Sequence, residues 1–322
     1  MKILVYEFIT GGGWYSVDDN APPPSLAREG EAMLRAVAAD LAALAGVQVA
    51  ALRDRRRADL LLPGCQIVDV GSAREEAELL SAAAATADET VVIAPEFDSL
   101  LLNRCRQVLQ AGGKLLGPGL ELVALASDKQ ATAEHLAAAG VPVPHGIAVA
   151  AHQPLPDDFA YPAVWKPRDG AGSQGVRKVD RRPSFSPRPF VPPQPGRLER
   201  FCPGVAASVS FLCGPTQQFS LPPCLQHLSD DGSFAYLGGS LLQSPGLAAR
   251  ATLLAKQAAA RLPAPRGYLG IDLVLGPDPN GSQDVVIEIN PRLTTSYIYL
   301  REAIANNLAG AMLEIARRGR EA

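Results

Sequence analysis

The sequence lacks a surplus of charge of either sign. Lysine and arginine together number 30 against 33 acidic residues, which gives a formal net charge of -3, and the basic residues are spread along the chain. Nucleic acids and anionic membrane surfaces attract proteins through concentrated positive charge. We therefore expect neither nucleic acid nor a membrane as a partner.

Long apolar runs and paired cysteines are also missing. No stretch approaches the length of a membrane span, and Glu7 interrupts the first apolar run, which leaves it too short for a signal-peptide core. The five cysteines form no C-x-x-C pair and the four histidines lie far apart. This pattern predicts neither a disulfide framework nor a zinc site. A reducing, cytoplasmic location fits these absences best.

The sequence does contain an alternation of strand and helix patterns from residue 1 to residue 118. Strands are predicted at 3–6, 47–52, 67–70 and 91–94, and helices at about 25–45, 74–85 and 99–111. Alternation with fully apolar strands is typical of a parallel sheet covered on both faces. With 322 residues, 47% of them hydrophobic, the chain is long enough for more than one domain.

After residue 118 the pattern becomes rich in strands. A helix is predicted to open at Ser127 and to run to about Ala139, where Gly140 ends it. The proline-laden stretch from Pro183 to Pro195 predicts an irregular surface loop. Further helices are predicted at about 247–262 and 300–317, and no internal repeat is evident.

The segment from Asp272 to Arg292 carries oxygen-bearing side chains in the pattern of a β-hairpin. Side chains alternate along a strand, so Glu288 and Asn290 share one face. Asp272 and Glu288 are equally distant from Asn280 in the turn-rich stretch 276–282, so antiparallel pairing sets them opposite each other. Carboxylates about 5 Å apart repel, and a hard cation such as Mg²⁺ compensates for that repulsion. A solvated edge hairpin is the alternative.

A second motif joins a strand to a glycine-rich turn. The stretch 163–167 is predicted as a strand carrying Lys166, and Gly170, Gly172 and Gly175 then match G-x-G-x-x-G. Dinucleotide binding requires a helix after the last glycine, whereas a short strand is predicted here. A glycine loop between two strands can instead fold over nucleotide phosphates while a strand lysine pairs with their oxygens. A plain hairpin with a solvated lysine is the alternative.

Four motifs in this order resemble the ATP-grasp superfamily. They are S-D-K at 127–129, W-K-P-R-D-G-A-G-S-Q-G at 165–175, E-R-F-C-P-G at 199–204, and G-I-D at 270–272 followed by I-E-I-N-P-R at 287–292. Each motif is modest alone, but their joint order and spacing are specific. The resemblance implies ATP and Mg²⁺ as cofactors, with Mn²⁺ as a possible substitute.

The same resemblance assigns nucleotide contacts. The two lysines would reach the ATP phosphates, the glycine loop would close over them, and Glu199 with the backbone at Phe201 would meet the adenine edge. The implied nucleotide-binding residues are Lys129, Lys166, Gly170, Gly172, Ser173, Gly175, Glu199 and Phe201.

Metal and catalytic roles are implied in the same way. Asp272, Glu288 and Asn290 would hold two Mg²⁺ ions. Arg292 would neutralise the transferring phosphoryl group or the acyl phosphate, and Lys166 would be the second catalytic residue.

Two positions depart from the family pattern. Ala206 stands where many members carry an acid that binds the ribose hydroxyls, so the ribose contact is left open. Gly270 stands where D-alanine ligase-like members carry an arginine, two residues before the metal-binding aspartate. This second departure disfavours D-alanine as a substrate.

The opening segment 1–13 resembles a narrower group, the tyramine-glutamate ligases of methanofuran biosynthesis. It places Glu7 and the loop around Gly12 at the carboxyl end of the first parallel strand, where open α/β sheets bind ligands. Glu7 would attract an amine, and Trp14 or Tyr15 would stack on an aromatic acceptor. A flexible turn with ordinary side chains is the alternative.

These motifs predict an α/β fold of ATP-grasp architecture with three parts. An N-terminal parallel-sheet domain would span 1–118, and two α+β subdomains would sandwich ATP. The central subdomain with the glycine loop would span 119–196, and the C-terminal subdomain with the metal hairpin 197–322.

The predicted activity is ATP-dependent carboxylate-amine ligation through an acyl phosphate. Glutamate and tyramine, or a similar amine, are the expected small-molecule substrates, and a homodimer is left open. Candidates for holding the donor carboxylate are Thr294, Thr295 and Ser296. The alternatives are ligation of an amino acid to a pterin-type or peptide-type substrate, a Rossmann oxidoreductase and a non-catalytic nucleotide-binding protein.

Overall fold

Three β-sheets organise the chain in the computed structural model, which describes residues 1–17, 21–186 and 188–318. The strands are β1 (Lys2–Glu7), β2 (Gln48–Asp54), β3 (Cys65–Val70), β4 (Glu89–Ile93), β5 (Gly146–Val149), β6 (Ala163–Pro167), β7 (Arg177–Val179), β8 (Gly196–Arg200), β9 (Val205–Cys213), β10 (Gln218–Ser220), β11 (Cys224–Leu228), β12 (Tyr236–Leu241), β13 (Gly267–Leu275) and β14 (Val285–Asn290). The helices are α1 (Pro24–Ala42), α2 (Ala73–Thr86), α3 (Leu100–Gln110), α4 (Leu120–Ala126), α5 (Lys129–Ala138), α6 (Pro245–Ala259), α7 (Ser296–Ala303) and α8 (Leu308–Arg317).

The first sheet is parallel, with strand order β3-β2-β1-β4. Along β1, Ile3 and Val5 pack into one core with α1, while Leu4 and Tyr6 pack into another with α2 and α3. A strand buried on both faces must be apolar throughout, which is the pattern the sequence displays. The predicted parallel sheet is confirmed.

The second sheet is antiparallel and is centred on the long strand β9. Its strand order is β12-β11-β9-β13-β14, and β10 also pairs with β9. Every residue of β13 pairs with β9 on one side, from Gly267 with Cys213 to Leu275 with Val205. This pairing holds β13 firmly while β14 forms the outer strand.

The third sheet, of strand order β5-β8-β6-β7, is small and antiparallel. It has its own apolar core, made of Leu155, Phe159, Ala163, Trp165 and Leu198. The first and second sheets instead share a core. That shared core includes Ile3, Val37, Leu212, Tyr268, Leu300 and Met312.

Helix α1 connects the first sheet to the end of the chain. Its buried Asp40 accepts hydrogen bonds from the Tyr297 hydroxyl (2.6 Å) and from Nη2 of Arg301 (2.6 Å), both on α7. The backbone carbonyl of Asp40 accepts a further hydrogen bond from Asn307 (2.7 Å). Helix α1 is therefore held by the C-terminal segment as well as by the core that it shares with the first sheet.

The single helix predicted at 300–317 is wrong, since α7 and α8 are separate there. Asn307 begins the second helix by accepting a hydrogen bond from the Gly310 N–H (2.8 Å), which is a standard N-cap. Helix α4 was also not predicted, because its short apolar run leads directly into α5. Pro187, in the predicted irregular loop, lies outside the described residues. Within the described part of the chain, no helix is long and apolar enough to cross a membrane.

Candidate active site

A cavity of about 220 Å³ is lined by residues of the second and third sheets and by helix α1. It gathers most of the side chains singled out in the sequence. Those that line it are Lys129, Lys166, Gly170, Gly172, Ser173, Glu199, Phe201, Asp272, Glu288, Asn290, Arg292, Thr294, Thr295 and Ser296. Residues distant in sequence thus meet at one place, which is what a binding site requires.

The hairpin of β13 and β14 has the register predicted from the sequence, with Asp272 opposite Glu288. The pairing then shifts, so that Leu273 faces Val286 and Ile287 becomes the extra residue of a β-bulge. The carbonyl of Ile287 accepts a hydrogen bond from Lys166 Nζ (3.2 Å). The bulge therefore connects the hairpin directly to the lysine of the third sheet.

Asp272 lies in an environment that disfavours its charge. Burial and the neighbouring charge of Glu288 raise the pKa of Asp272 to about 7. Asn290 Nδ2 and Gln226 Nε2 each donate a hydrogen bond of 3.0 Å to its carboxylate. Since the Asn290 amide donates through nitrogen, its oxygen is left for a cation, and the set of two carboxylates and one amide oxygen suits the hard ion Mg²⁺.

Lys129, the first residue of α5, compensates for part of this negative charge. Its Nζ lies 2.5 Å from Glu288 Oε1 and donates to the Gly170 carbonyl at 2.8 Å. Burial acts to lower the Lys129 pKa, but the charge of Glu288, its hydrogen bond and the charge of Glu96 together outweigh burial, and the pKa is raised. The side chain therefore stays protonated and is positioned to meet an anion.

Lys166 and Glu199 form a second buried ion pair, in which Nζ lies 2.7 Å from Oε1. The other oxygen of Glu199 accepts from Arg197 Nε at 2.9 Å. Lys166 thus touches both the hairpin bulge and Glu199. This places its ammonium at the junction of the second and third sheets.

Arg292 is held by Glu96, which lies in the segment that follows β4 of the first sheet. Its Nη2 donates to Glu96 Oε2 at 3.0 Å, and its Nε approaches Glu96 Oε1 at 2.8 Å, outside hydrogen-bond geometry. The side chains are 12% and 2% exposed respectively. Burial opposes the charge on Arg292, yet the carboxylate of Glu96 raises the Arg292 pKa.

The glycine-rich loop 168–175 adopts a conformation that favours glycine. Gly172 and Gly175 have φ values of 62° and 73°, and Ser173 has 57°. Strand β7 follows the loop, so the dinucleotide-binding arrangement is excluded. Gly175 does not line the cavity, and its positive φ allows the chain to turn into β7.

Part of the cavity lining is apolar. The rings of Phe201 and Phe234 stack with centroids 6.1 Å apart, and Cys202 and Ala206 also line the cavity. The Phe201 N–H already donates to the Pro162 carbonyl (3.0 Å), so a ligand at this backbone could use only the carbonyl oxygen.

The three N-terminal residues expected to contact substrate are not brought to the cavity. Glu7 is buried and accepts hydrogen bonds from the Ile9 N–H and from the N–H and hydroxyl of Thr10. Gly12, with φ of 92°, forms the turn against Val70, and Trp14 is 7% exposed within a core. The prediction that Glu7 and Trp14 are accessible to an amine is corrected, because the turn after β1 directs both side chains inward.

Gly270 does allow a close approach at the site. A Cβ atom on this residue would lie 2.6 Å from the Thr294 methyl group, so no larger side chain fits without moving Thr294. Close packing against Thr294 therefore accounts for the absence of an arginine at position 270.

Several residues that line the cavity were not predicted from the sequence, nor was Glu96, which holds Arg292. Glu29 and Met33 of α1, Gln226 of β11 and Tyr236 of β12 line the cavity. Their positions follow from long-range packing, and no local pattern marks them. Glu96 did carry a signal, because it follows a parallel strand at its carboxyl end.

The chain belongs to the ATP-grasp family. An ATP-grasp domain model matches residues 126–296, more than half of the chain, and a pre ATP-grasp domain model matches residues 47–123. ATP-grasp enzymes are ADP-forming ligases that bind ATP and Mg²⁺. The predicted fold and enzyme class are confirmed, and the hard oxygen ligands around Asp272 fit Mg²⁺.

Solved structures agree in fold. An ATP-grasp superfamily protein from Archaeoglobus fulgidus has a TM-score of 0.73 at 22% identity, covering 98% of this chain and 89% of its own. The L-amino acid ligase from Bacillus licheniformis has a TM-score of 0.72 at 15% identity, covering 98% and 74%. D-alanine–D-alanine ligase from Bacillus anthracis has a TM-score of 0.67 at 15% identity, covering 100% and 99%. Comparison with curated proteins gives no match.

Proposed function

We propose that the chain is a carboxylate-amine ligase that uses ATP to form an acyl phosphate, which an amine then attacks to give an amide. One observation carries this proposal: a single cavity holds two buried lysines, an opposed pair of carboxylates and a buried arginine. This set of charged side chains suits phosphoryl transfer, because positioning and charge neutralisation supply most of the catalysis in that reaction.

Each side chain has a separate part in this reaction. Lys129 and Lys166 would hold the ATP phosphates while the glycine-rich loop covers them. Mg²⁺, held by Asp272, Glu288 and Asn290, would neutralise phosphate charge, and Mn²⁺ would substitute for it. Arg292 would stabilise the transferring phosphoryl group and then the acyl phosphate, because it remains charged when buried.

The donor carboxylate would lie at the start of α7. Thr294, Thr295 and Ser296 line the cavity directly after Arg292 in the chain. Hydroxyl groups and the backbone N–H groups of a helix start are suited to a carboxylate. A carboxylate held there would lie beside the arginine that neutralises its phosphorylated form.

For the substrates, we propose glutamate as the activated acid and tyramine or a similar aromatic amine as the acceptor. The resemblance of segment 1–13 to tyramine-glutamate ligases supports this pair. The cavity supports it independently, since α1 offers both an acidic side chain, Glu29, and an apolar one, Met33, to an amine.

The division of the chain into parts 1–118, 119–196 and 197–322 is also a proposal. The separate core around Trp165 supports a central unit, which extends a few residues beyond 196 because Leu198 belongs to that core and β8 to the same sheet. The shared core of the first and second sheets indicates that the other two parts are joined more tightly to each other.

The function is tested by an ADP-release screen over pairs of amino acids and amines, with mass analysis of the products. We expect Mg²⁺-dependent ADP release and a γ-glutamyl amide from glutamate and tyramine. If another pair reacts and this one does not, the substrate assignment is wrong and only the ligase class stands. ATP binding without ADP release for any pair would overturn the ligase assignment.

A further inference from the structure

Glu29 stands apart from the other acidic side chains of the cavity. Among the described residues, four carboxylates line it: Glu29, Glu199, Asp272 and Glu288. The last three have partners within the protein, namely Lys166 and Arg197 for Glu199, Asn290 and Gln226 for Asp272, and Lys129 for Glu288. Within the same described residues, the carboxylate of Glu29 has no hydrogen bond or ion pair.

The position of Glu29 is set by α1 and by the loop above it. A Cβ atom on Gly172 would lie 4.0 Å from Glu29 Oε2 and 3.0 Å from a Leu26 methyl group, so the glycine-rich loop packs over this part of the helix. Met33 lies one helical turn further along the same face and also lines the cavity. A carboxylate thus lies next to an apolar wall under the loop.

Burial and two arginine charges act on Glu29 in opposite directions. Burial raises the pKa of Glu29, while the charges of Arg292 across the cavity and Arg28 on its own helix act against that rise. A half-buried carboxylate without a bound partner gains most from a cation that brings its own hydrogen-bond donors.

We propose that Glu29 binds the ammonium group of the amine substrate and accepts its proton before the amine attacks. This assignment rests on the proposed ligase function. It gives the amine a position between α1 and the glycine-rich loop, near the Arg292 guanidinium that neutralises the acyl phosphate.

The reaction requires only the amine, the acyl phosphate, the Glu29 carboxylate and solvent. The ammonium gives one proton to the Glu29 carboxylate, and the nitrogen lone pair that is freed attacks the acyl carbon. The carbon–oxygen bond to phosphate breaks, and its electron pair leaves with the phosphate. The second proton lost by the nitrogen goes to a phosphate oxygen, and Glu29 returns its own proton to solvent.

The test uses Glu29→Gln, with Glu31→Gln as a matched control on the same helix. Glu31 pairs with Arg35 and Arg57 and does not line the cavity. Two reactions are measured: hydroxylamine trapping of the acyl phosphate from each common amino acid, and amide formation from a panel of amines that includes tyramine. Hydroxylamine is uncharged at neutral pH and needs no ammonium-binding carboxylate.

We expect Glu29→Gln to form hydroxamate as fast as the wild type. Its kcat/KM for the amine should fall about a hundredfold, which is the usual contribution of a positioned base. The deficit should shrink as the pH rises and free amine accumulates, a response that misfolding would not produce. Glu31→Gln should match the wild type in both reactions.

Loss of both reactions in Glu29→Gln, or of neither, would overturn the assignment. If the wild type forms no hydroxamate with any acid, the proposed ligase function itself fails and this role fails with it. If hydroxamate forms but the pH response of the variant is the same as that of the wild type, Glu29 is not the proton acceptor.

Discussion

The guanidinium of Arg292 and the carboxylate of Glu96 form a buried ion pair whose closest atoms, Nε and Oε1, lie 2.8 Å apart. Glu96 follows β4 of the first sheet and Arg292 follows β14 of the second, so the segment after the first sheet positions the arginine of the cavity. We predict that Glu96→Gln lowers kcat about a hundredfold by displacing Arg292, with little change in the KM for ATP. Steady-state kinetics checks this.

Asp284→Asn provides the control for that variant. Asp284 pairs with Arg250 in a similarly buried position, and neither residue lines the cavity. The Asp284→Asn substitution should lower the free energy of unfolding, as loss of a buried charge partner does. It should not change kcat per folded molecule. Equal kcat values for Glu96→Gln and the wild type would show that the ion pair serves stability alone.

The second prediction concerns the metal hairpin. Glu288→Gln should reduce turnover by about three orders of magnitude, because several kcal/mol of charge stabilisation depend on a metal held at this position. The circular dichroism spectrum should not change. A variant that retains wild-type rates and an unaltered Mg²⁺ requirement would rule out the metal role of Glu288.

Lys166 supplies the third prediction, since its ammonium lies buried between Glu199 and the bulge carbonyl. Lys166→Ala should weaken ATP binding by about 1.5–3 kcal/mol, the range for hydrogen bonds to charged groups, or about tenfold to a hundredfold in Kd. Calorimetric titration measures this, with the exposed Lys256→Ala on α6 as control. Identical ATP affinity in both variants would contradict a phosphate contact.

The fourth prediction uses the thiols of the chain. Cys202 and Cys65 are both partly exposed, but only Cys202 lines the cavity. Burial raises the pKa of both thiols, so labelling with a maleimide should be done at alkaline pH. ATP should protect Cys202 and leave Cys65 unaffected, as peptide mass analysis would show. Equal labelling of Cys202 with and without ATP would place the nucleotide elsewhere.

The sequence was most informative where structure is local. The pairing of Asp272 with Glu288 follows from the alternation of side chains and from the symmetry of one turn, both of which are short-range features. The glycine loop between two strands was predictable for the same reason.

Residues that approach the cavity through tertiary packing could not be placed in this way. Glu29 reaches it because α1 packs beneath the glycine-rich loop, and no pattern within the helix indicates that contact. For Glu7, the position in the fold was predicted but the contacts of its side chain were not. Its position at the carboxyl end of β1 was foreseen, but the turn that follows binds its carboxylate through three local donors.

Trp165, in the separate core of the third sheet, can serve as a fluorescent probe of that sheet. The chain has two tryptophans, Trp14 in the core of the first sheet and Trp165 in that of the third. Trp165 precedes Lys166 on β6, so its indole lies on the face opposite the lysine, against the ring of Phe190. The tryptophan fluorescence of a Trp14→Phe variant would therefore come from this sheet alone, and would report any change in the surroundings of Trp165 when nucleotide binds.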